Sequence, residues 1–290
     1  MHVFVTGATG WVGSAVVDDL LRAGHTVTGL ARNDGKAATL AATGARVVRG
    51  TLDDADVLRS AASTADAVIH TAFNHDFSTF AANAAQDARV IETLGDALAG
   101  SPRPLLVTSG LARIAQGRAA TEADLPGPSS PRQTETAART LAERGVRVAT
   151  IRLAPSVHGI GDYGFVPLLI RLAREQGVSA YIGDGQNRWA GVHRLDAARV
   201  YRLALEHGVT EPVYHAVADE GIAFKQIAEA IGRGLDVPVE SRAPDHFGWF
   251  AHFAGADMWA TSTLTRARLG WEPAGPSLLS DLDQASYYAE

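Results

Sequence analysis

The amino-acid sequence predicts an α/β fold built on a doubly wound parallel sheet, with a smaller C-terminal part. Three observations carry this prediction. The 290 residues are 46% hydrophobic and 20% charged, which is typical of a globular chain long enough to bury a large core. Short apolar runs alternate with helical patterns through the first half of the chain. A glycine-rich turn separates the first apolar run from the first helix.

Six strands are predicted in the first 155 residues, in alternation with helices. The first strand covers residues 3–6, and the helix after it places Val12, Val16, Val17, Leu20 and Leu21 on one face before Gly24 ends it. The other strands are predicted at residues 25–30, 45–48, 67–72, 105–108 and 147–153. Strands that alternate with helices of about 10–15 residues indicate βαβ units and a parallel sheet.

The pattern changes after Pro155. A glycine-rich loop at 159–164 comes first, and the elements predicted beyond it are helices at 166–175, 195–205 and 224–235 and a strand at 212–217. We therefore predict a first domain at residues 1–155, completed by about 190–218. Residues 156–189 and 219–290 are predicted to form the smaller part, which is expected to bind the substrate.

Charge and composition exclude several classes of function. Lysine and arginine number 26 and aspartate and glutamate 32, a net charge of −6, so no nucleic-acid surface is expected. The absence of cysteine excludes disulfides and thiolate chemistry, and the histidine spacing shows no metal motif. No apolar run reaches the roughly 18 residues of a membrane helix, and no signal peptide is readable. We expect a cytoplasmic protein that binds a small molecule and no membrane.

The turn Thr6-Gly7-Ala8-Thr9-Gly10-Trp11-Val12-Gly13 has glycines in the spacing G-x-x-G-x-x-G. Glycine allows positive φ in a tight turn and close approach of backbone N–H groups to a pyrophosphate, and the helix that follows adds its positive end. A glycine triplet is a strong signal only between a first strand and a first helix, as here. Residues 1–155 are therefore predicted to be a dinucleotide-binding Rossmann domain. The alternative is a turn that serves only the chain reversal.

The same turn, T-G-A-T-G-x-V-G, resembles the extended short-chain dehydrogenase/reductase family, which includes nucleotide-sugar epimerases, dehydratases and hydroxysteroid-type dehydrogenases. The resemblance continues, in family order, through segments 68–72, 106–109, 152–159, 183–189, 192–196 and 270–273. It covers essentially the whole chain and marks it as epimerase/dehydratase-like. Many relatives pair through two helices, but the helix at 132–144 is charged here, so we expect a monomer or a weak homodimer.

The glycine turn and the resemblance together predict the cofactor contacts. They are expected from Gly7, Thr9, Gly10, Trp11, Val12 and Gly13 in the turn, and from Leu52, Asp53, Thr71, Ala72, Phe73, Thr108 and Pro155 beyond it. A site that selects NAD usually carries an acid at the end of the second strand, but this chain has Arg32 there, with Lys36 four residues on. A guanidinium can clamp a 2′-phosphate, so we predict NADP(H). A solvated arginine is the alternative.

The family's catalytic set is expected to be missing. Members usually carry a Tyr-x-x-x-Lys motif, in which the lysine lowers the pKa of a proton-transferring tyrosine. No tyrosine occurs before Asp162, and counting back from the strand at 147–153 puts Pro131 at the tyrosine position and Glu135 at the lysine position. Gly110 falls at the catalytic serine position, unless Thr108 or Ser109 serves after a small shift.

Other side chains are therefore candidates for proton transfer and for substrate contact. His158 and Tyr163, on the loop after the sixth strand, are the first candidates for the proton donor, and His75, after the fourth strand, is next. Substrate contacts are predicted from Asn74, Asp162, Arg188, Trp189 and His193. A structural role is the alternative for each of them. Further aromatic residues that could line the pocket are Phe165, Phe247, Trp249, Phe250, Phe253 and Trp259.

Three functions follow from these observations. The first is an atypical NADP(H)-dependent oxidoreductase that reduces a carbonyl, imine or activated double bond of a small organic substrate. The second is a non-catalytic NADP-binding regulator or scaffold, which the missing motif favours. The third is a nucleotide-sugar epimerase or dehydratase, for which Arg188 resembles the arginine that grips the nucleotide diphosphate.

Overall fold

A computed structural model of the chain describes residues 1–112, 114–127 and 130–289. The first half forms alternating strands and helices: β1 (His2–Thr6), α1 (Trp11–Arg22), β2 (Thr26–Ala31), α2 (Asp34–Ala41), β3 (Arg46–Arg49), α3 (Ala55–Ser63), β4 (Ala67–His70), α4 (Phe80–Leu98), β5 (Leu105–Gly110), α5 (Thr134–Glu143) and β6 (Val148–Leu153). The six strands predicted from the apolar runs are all present, within two residues at each end.

The second half alternates less regularly. It forms β7 (Ser156–His158), α6 (Phe165–Gln176), β8 (Ser179–Ile182), β9 (Arg188–His193), α7 (Arg194–Glu206), β10 (Val213–Ala216), β11 (Asp219–Ala223), α8 (Phe224–Leu235), β12 (Val239–Arg242), α9 (Ala251–Ala254), α10 (Thr263–Leu269) and α11 (Leu278–Leu282). Short 3₁₀ turns lie at Phe77–Thr79, Pro244–Phe250 and Ala285–Tyr288. The short strands β7, β8, β9, β11 and β12 were not predicted. Three of them, β7, β11 and β12, are short and mixed in polarity, and β8 and β9 border the glycine-rich stretch at 181–189.

Seven strands form one parallel sheet in the order β10-β6-β5-β4-β1-β2-β3. The chain winds outward from β1 in both directions, so the predicted doubly wound α/β fold is confirmed. The point where the strand order reverses lies between β1 and β4. In open sheets of this kind a ligand binds outside the carboxyl ends of the strands at that point. We call this side of the sheet the carboxyl edge.

Side chains that alternate along the strands pack into two buried hydrophobic clusters, one on each face of the sheet. Val3 and Val5 of β1 face the helices α1 and α7, whereas Phe4 faces α3, α4 and α5. A third cluster lies in the C-terminal part, between α6, α8 and the aromatic residues of 247–254. The division of the chain into 1–155 and a smaller part stays a prediction. No helix among the described residues has the length and apolarity that crossing a membrane requires.

Candidate functional site

The glycine turn connects β1 to α1 with almost no room for side chains. Gly7 has a φ of +67° and its carbonyl accepts a hydrogen bond from Gly10 N at 2.8 Å. A Cβ atom added to Gly13 would lie 2.1 Å from the Gly7 carbonyl oxygen. The helix therefore starts close against the strand, and its first N–H groups have no partners within the helix. Such a helix start is a ready anion site, because free N–H donors and the helix dipole both favour negative charge.

Trp11, the residue after the second glycine, ties this turn to the second half of the chain. Its indole Nε1 donates to the Val157 carbonyl at 2.6 Å, and the Arg194 guanidinium lies 4.1 Å above its ring. Tyr163 packs edge-on against Trp11, with ring centroids 5.7 Å apart, and its side chain is 66% exposed. The structure thus brings Tyr163, predicted as a proton donor, to the glycine turn.

The predicted cofactor contacts at β2 and β3 lie at the ends of their strands. Arg32 follows β2 directly and is exposed. Asn33 beside it caps α2 by accepting from Lys36 N at 2.9 Å. Leu52 is half-buried, and Asp53 is exposed and accepts from the Gln86 amide at 2.7 Å. The end of β2 therefore exposes the Arg32 guanidinium to solvent, with no hydrogen-bond or ion-pair partner among the residues that the structure describes.

The ends of β4 and β5 are joined by hydrogen bonds. The Thr71 hydroxyl donates to the Thr6 carbonyl at 2.8 Å. The Thr108 hydroxyl donates to the His70 carbonyl and accepts from the Tyr201 hydroxyl, both at 2.8 Å. Burial strongly raises the pKa of Tyr201. The buried Thr108 hydroxyl therefore has one partner as a donor and one as an acceptor inside the protein. Val12, Ala72 and Pro155 are half-buried along the same edge.

Arg132 directly follows Pro131, the residue predicted to stand at the tyrosine position of the family motif, and it was not among the predicted site residues. Its Nη2 donates to the Thr108 carbonyl at 2.8 Å and its Nε donates to the Thr134 hydroxyl at 3.0 Å. The guanidinium carbon lies 4.2 Å from the centroid of the Phe73 ring. Burial lowers the pKa of Arg132, although the Asp87 carboxylate opposes this; an arginine nevertheless keeps its charge in proteins. In the sequence, the feature that could have identified Arg132 is its position as a cation directly after Pro131.

His75 lies next to this arginine. Its ring contacts the Phe73 ring at a centroid distance of 5.4 Å. Loss of solvent around the imidazole, and then the positive charge of Arg132, lowers the pKa of His75. The imidazole is therefore mainly neutral at pH 7. Asn74, predicted to contact substrate, is exposed and accepts from Asp76 N at 3.1 Å.

Six rings form a continuous surface leading away from Arg132, which we call the aromatic wall. Phe77 is at its centre: its ring stacks on Trp249 at 5.1 Å and contacts Phe253 at 5.7 Å and Phe165 at 6.0 Å. The other members are Phe73 and His75. Trp249 is 58% exposed, and the phenylalanines are half-buried. Of the other predicted pocket residues, Phe247 and Phe250 are in the core.

His158 is not placed to act on a substrate. It is fully buried, and its Nδ1 donates to Asp281 Oδ2 at 2.7 Å. The nearest further acid is Asp219, 3.8 Å from Nε2. This imidazole holds α11 against β7. The expectation that His158 donates a proton is therefore corrected, because packing by the distant C-terminal helix removes it from any open surface.

The prediction that Trp189 contacts the substrate is also corrected. This side chain is fully buried against Phe224 and Phe250, with centroid distances of 5.0 and 6.0 Å, so it belongs to the core rather than to a substrate surface. Arg188, the residue before it, is exposed and lies 4.8 Å from the Trp259 ring.

The last two predicted substrate contacts have structural partners. His193 caps α7, and burial, with a smaller contribution from the neighbouring His158, lowers the pKa of His193. Asp162 accepts from the Tyr287 hydroxyl at 2.8 Å and from Gly164 N at 2.7 Å, and burial raises its pKa. Neither residue belongs to the aromatic wall.

Comparisons with known proteins agree with this architecture. The model of the NAD-dependent epimerase/dehydratase family matches residues 3–217. An uncharacterised protein of Schizosaccharomyces pombe is 47% identical, over 99% of this chain and 100% of the relative. A 2-alkyl-3-oxoalkanoate reductase of Stenotrophomonas maltophilia is 30% identical, over 71% of this chain and 66% of the relative.

Solved structures share the fold at low identity. UDP-glucose 4-epimerase from Thermotoga maritima, crystallised with UDP-glucose, superimposes with a TM-score of 0.77 at 20% identity, and the match covers 99% of this chain and 98% of that one. The resemblance to extended short-chain dehydrogenases/reductases is thereby confirmed. The chain belongs to the NAD-dependent epimerase/dehydratase family.

Proposed function

We propose that this protein is an NADP(H)-dependent oxidoreductase that reduces a carbonyl, imine or activated double bond of a small apolar organic molecule. The observation that carries the proposal is the aromatic wall, which starts at the carboxyl edge and remains partly open to solvent. Contiguous apolar surface left open on a folded chain marks a place where an apolar ligand binds.

The choice of cofactor rests on the end of β2. Arg32 is exposed there, close to where the ribose of a dinucleotide lies in this fold. A carboxylate at that place would repel a 2′-phosphate, whereas a guanidinium can form two charge-assisted hydrogen bonds with one. The glycine turn would hold the pyrophosphate, since its backbone leaves no space for side chains. When bound, the nicotinamide would supply the hydride.

The choice of substrate rests on the wall and on the relatives. The surface around Phe77 consists of rings, which suits an apolar and flat molecule better than a nucleotide sugar. Three relatives are named as reductases: two 2-alkyl-3-oxoalkanoate reductases and a ketoreductase of a farnesyl-dihydroquinoline N-oxide. These names support reduction of a ketone-like group on an apolar molecule.

The second candidate function is an NADP-binding regulator without turnover. It is favoured by Glu135, which stands where the resemblance places the catalytic lysine and is buried in an ion pair with Arg152. An epimerase or dehydratase of nucleotide sugars is less well supported. The arginine expected to grip a diphosphate, Arg188, lies over Trp259 instead.

The test is oxidation of NADPH and NADH, followed at 340 nm, with a panel of ketones, aldehydes, imines and enones. Turnover with NADPH and an apolar acceptor is expected. The matched control is Gly13→Val, which should abolish cofactor binding and turnover together. Binding of NADPH without turnover of any acceptor would support the regulator instead, and a copurified nucleotide sugar with NAD would support the epimerase.

A further inference from the structure

The Arg132 guanidinium uses two of its three nitrogens for hydrogen bonds within the described part of the protein. Nε and Nη2 are bonded to Thr134 and to the Thr108 carbonyl, and the plane of the group rests on Phe73. The third nitrogen, Nη1, has no hydrogen-bond partner among the residues that the structure describes. An arginine side chain held by two hydrogen bonds and a ring contact has already lost most of its conformational freedom. Binding of a ligand oxygen to Nη1 therefore costs little additional conformational entropy.

The position of the Arg132 guanidinium indicates that it would bind an oxygen of the substrate at the reacting end. Phe73 follows β4, and Thr108 lies near the end of β5, so Arg132 stands at the carboxyl edge on the side of β4 away from β2 and Arg32. The aromatic wall begins at the same Phe73 ring. A flat molecule lying along the wall would therefore place a polar end at Arg132.

We propose that Arg132 is a catalytic residue that binds the carbonyl oxygen of an α,β-unsaturated acceptor, and that enones and enals are the substrate class of this site. The inference rests on the proposed function and deepens it. A guanidinium supplies positive charge and hydrogen bonds but gives up no proton at neutral pH. It can therefore stabilise an anion that forms during the reaction, although it cannot protonate one.

Because Arg132 can stabilise an anion but cannot protonate it, the class of acceptor that the site can reduce is restricted. Hydride addition to a simple ketone yields an alkoxide, a base about as strong as hydroxide, which needs a proton donor in the site as it forms. Hydride addition to the β-carbon of an enone yields an enolate, whose charge is delocalised and needs no proton at that moment. Among the described residues, the groups near Arg132 supply no strong acid, since Thr108 is buried with both partners satisfied and His75 is mainly neutral.

The step balances without another reactant. The C4–H bond of NADPH breaks, and its hydrogen and electron pair form a C–H bond at the β-carbon, so NADPH is oxidised to NADP⁺. The carbon–carbon π electrons move to form the enolate, whose oxygen binds Nη1 of Arg132. Solvent water then donates a proton to the α-carbon, and the product is the saturated carbonyl compound.

The experiment compares 2-cyclohexenone with cyclohexanone, with NADPH as the reductant. Wild type is expected to reduce the enone at least about 100-fold more efficiently, in kcat/KM, than the saturated ketone. Arg132→Gln should lose about 100-fold or more on the enone, the usual effect of removing an oxyanion donor, and Arg132→Lys should recover part of that loss. Arg139→Gln, which changes an exposed arginine of α5, the helix that begins two residues after Arg132, is the matched control and should match wild type.

Two further measurements separate this role from a structural one. The affinity for NADPH, measured by calorimetry, should change less than about threefold in Arg132→Gln, because its loss is confined to the reaction step. The second measurement is the ratio of kcat/KM for the enone to kcat/KM for cyclohexanone in Tyr163→Phe, which should not fall below the wild-type ratio. Efficient reduction of cyclohexanone that Tyr163→Phe abolishes would overturn the inference, yet it would leave the oxidoreductase function standing. NADPH binding with no reduction of any acceptor would overturn both.

Discussion

Arg152 and Glu135 form a two-bond ion pair in the core, with Nε 2.8 Å from Oε1 and Nη2 2.7 Å from Oε2. Arg152 is fully buried at the end of β6, and it also donates to the Asp124 carbonyl at 2.6 Å. Glu135 thus serves the fold at the place where the family resemblance puts a catalytic lysine. The Glu135 carboxylate is therefore the group that balances the buried charge of Arg152.

Removal of this carboxylate should destabilise the protein. Glu135→Ala leaves the Arg152 charge buried and unpaired, which costs about 3–5 kcal/mol of unfolding free energy. Glu135→Lys, which restores the family's residue type, places two cations together and should prevent folding. Urea unfolding followed by circular dichroism measures the loss. The control is Asp96→Ala, the partner of Arg144 in an exposed pair, with an expected effect below about 1 kcal/mol. Equal losses of unfolding free energy in Glu135→Ala and Asp96→Ala would show that the buried ion pair is worth no more than the exposed one.

The pH dependence of stability should include a contribution from His215. Its Nε2 accepts from Arg152 Nη1 at 3.1 Å, and its Nδ1 donates to the Thr261 carbonyl at 2.7 Å. Burial lowers the pKa of His215, and the Arg152 charge acts in the same direction. Below about pH 6.5 the unfolded chain binds a proton at this imidazole while the folded chain does not. Stability is therefore fully present above that pH and falls as the pH decreases.

This contribution can be measured between pH 7.5 and 5.5 as unfolding free energy against pH. One such proton contributes at most about 1.4 kcal/mol per pH unit. His215→Gln should flatten the wild-type curve in this range, whatever its stability at pH 7.5. His207→Gln removes an exposed imidazole and should leave the slope unchanged. An identical slope in wild type and His215→Gln would show that the imidazole is not held neutral.

The glycine turn should tolerate no side chain at Gly13. In Gly13→Ala the new Cβ meets the Gly7 carbonyl oxygen at 2.1 Å, so helix and strand must separate. Such overpacking costs about 1–3 kcal/mol of stability, and the displaced N–H groups should weaken NADPH binding by about tenfold or more. Calorimetry and thermal unfolding report the two effects. Gly127→Ala should show neither effect, because no atom of the described residues beyond its chain neighbours lies within 4 Å of the new Cβ.

Discrimination between the two cofactors should depend on Arg32. Loss of a charge-assisted pair costs about 1.5–3 kcal/mol, so Arg32→Ala should raise the Kd for NADPH about 10- to 100-fold. The Kd for NADH should change less than about threefold, because NADH has no 2′-phosphate. Arg46→Ala, an exposed arginine at the start of β3, is the control and should change neither. If NADPH and NADH weaken equally in Arg32→Ala, the selectivity argument fails.

The aromatic wall should matter for substrate and not for stability. Trp249 is 58% exposed and stacks on Phe77 at 5.1 Å. Trp249→Ala removes contact area from the wall while little buried surface is lost, so KM for an apolar acceptor should rise about tenfold with thermal stability nearly unchanged. Phe250→Ala, which empties a fully buried site, should instead lower the unfolding free energy by about 3–5 kcal/mol. A KM unaffected by Trp249→Ala would place the substrate elsewhere.

The sequence by itself determined the sheet and the turn. The six apolar runs and the spacing of Gly7, Gly10 and Gly13 are local patterns, because they act over a few neighbouring residues. The five short strands of the second half carry no such clear local pattern, so only their pairing in the folded chain reveals them. β7, for example, pairs with β9 across more than thirty residues, as in Val157 with Val192.

Only the tertiary structure decided what the candidate side chains do. His158 carries every local mark of a site residue, yet Asp281, 123 residues away, holds it in the core. Arg132 carries no such mark, yet Thr108 and Phe73 place its guanidinium at the carboxyl edge. Burial and electrostatic environment are sums over neighbours brought together by folding, and no spacing along one chain contains them.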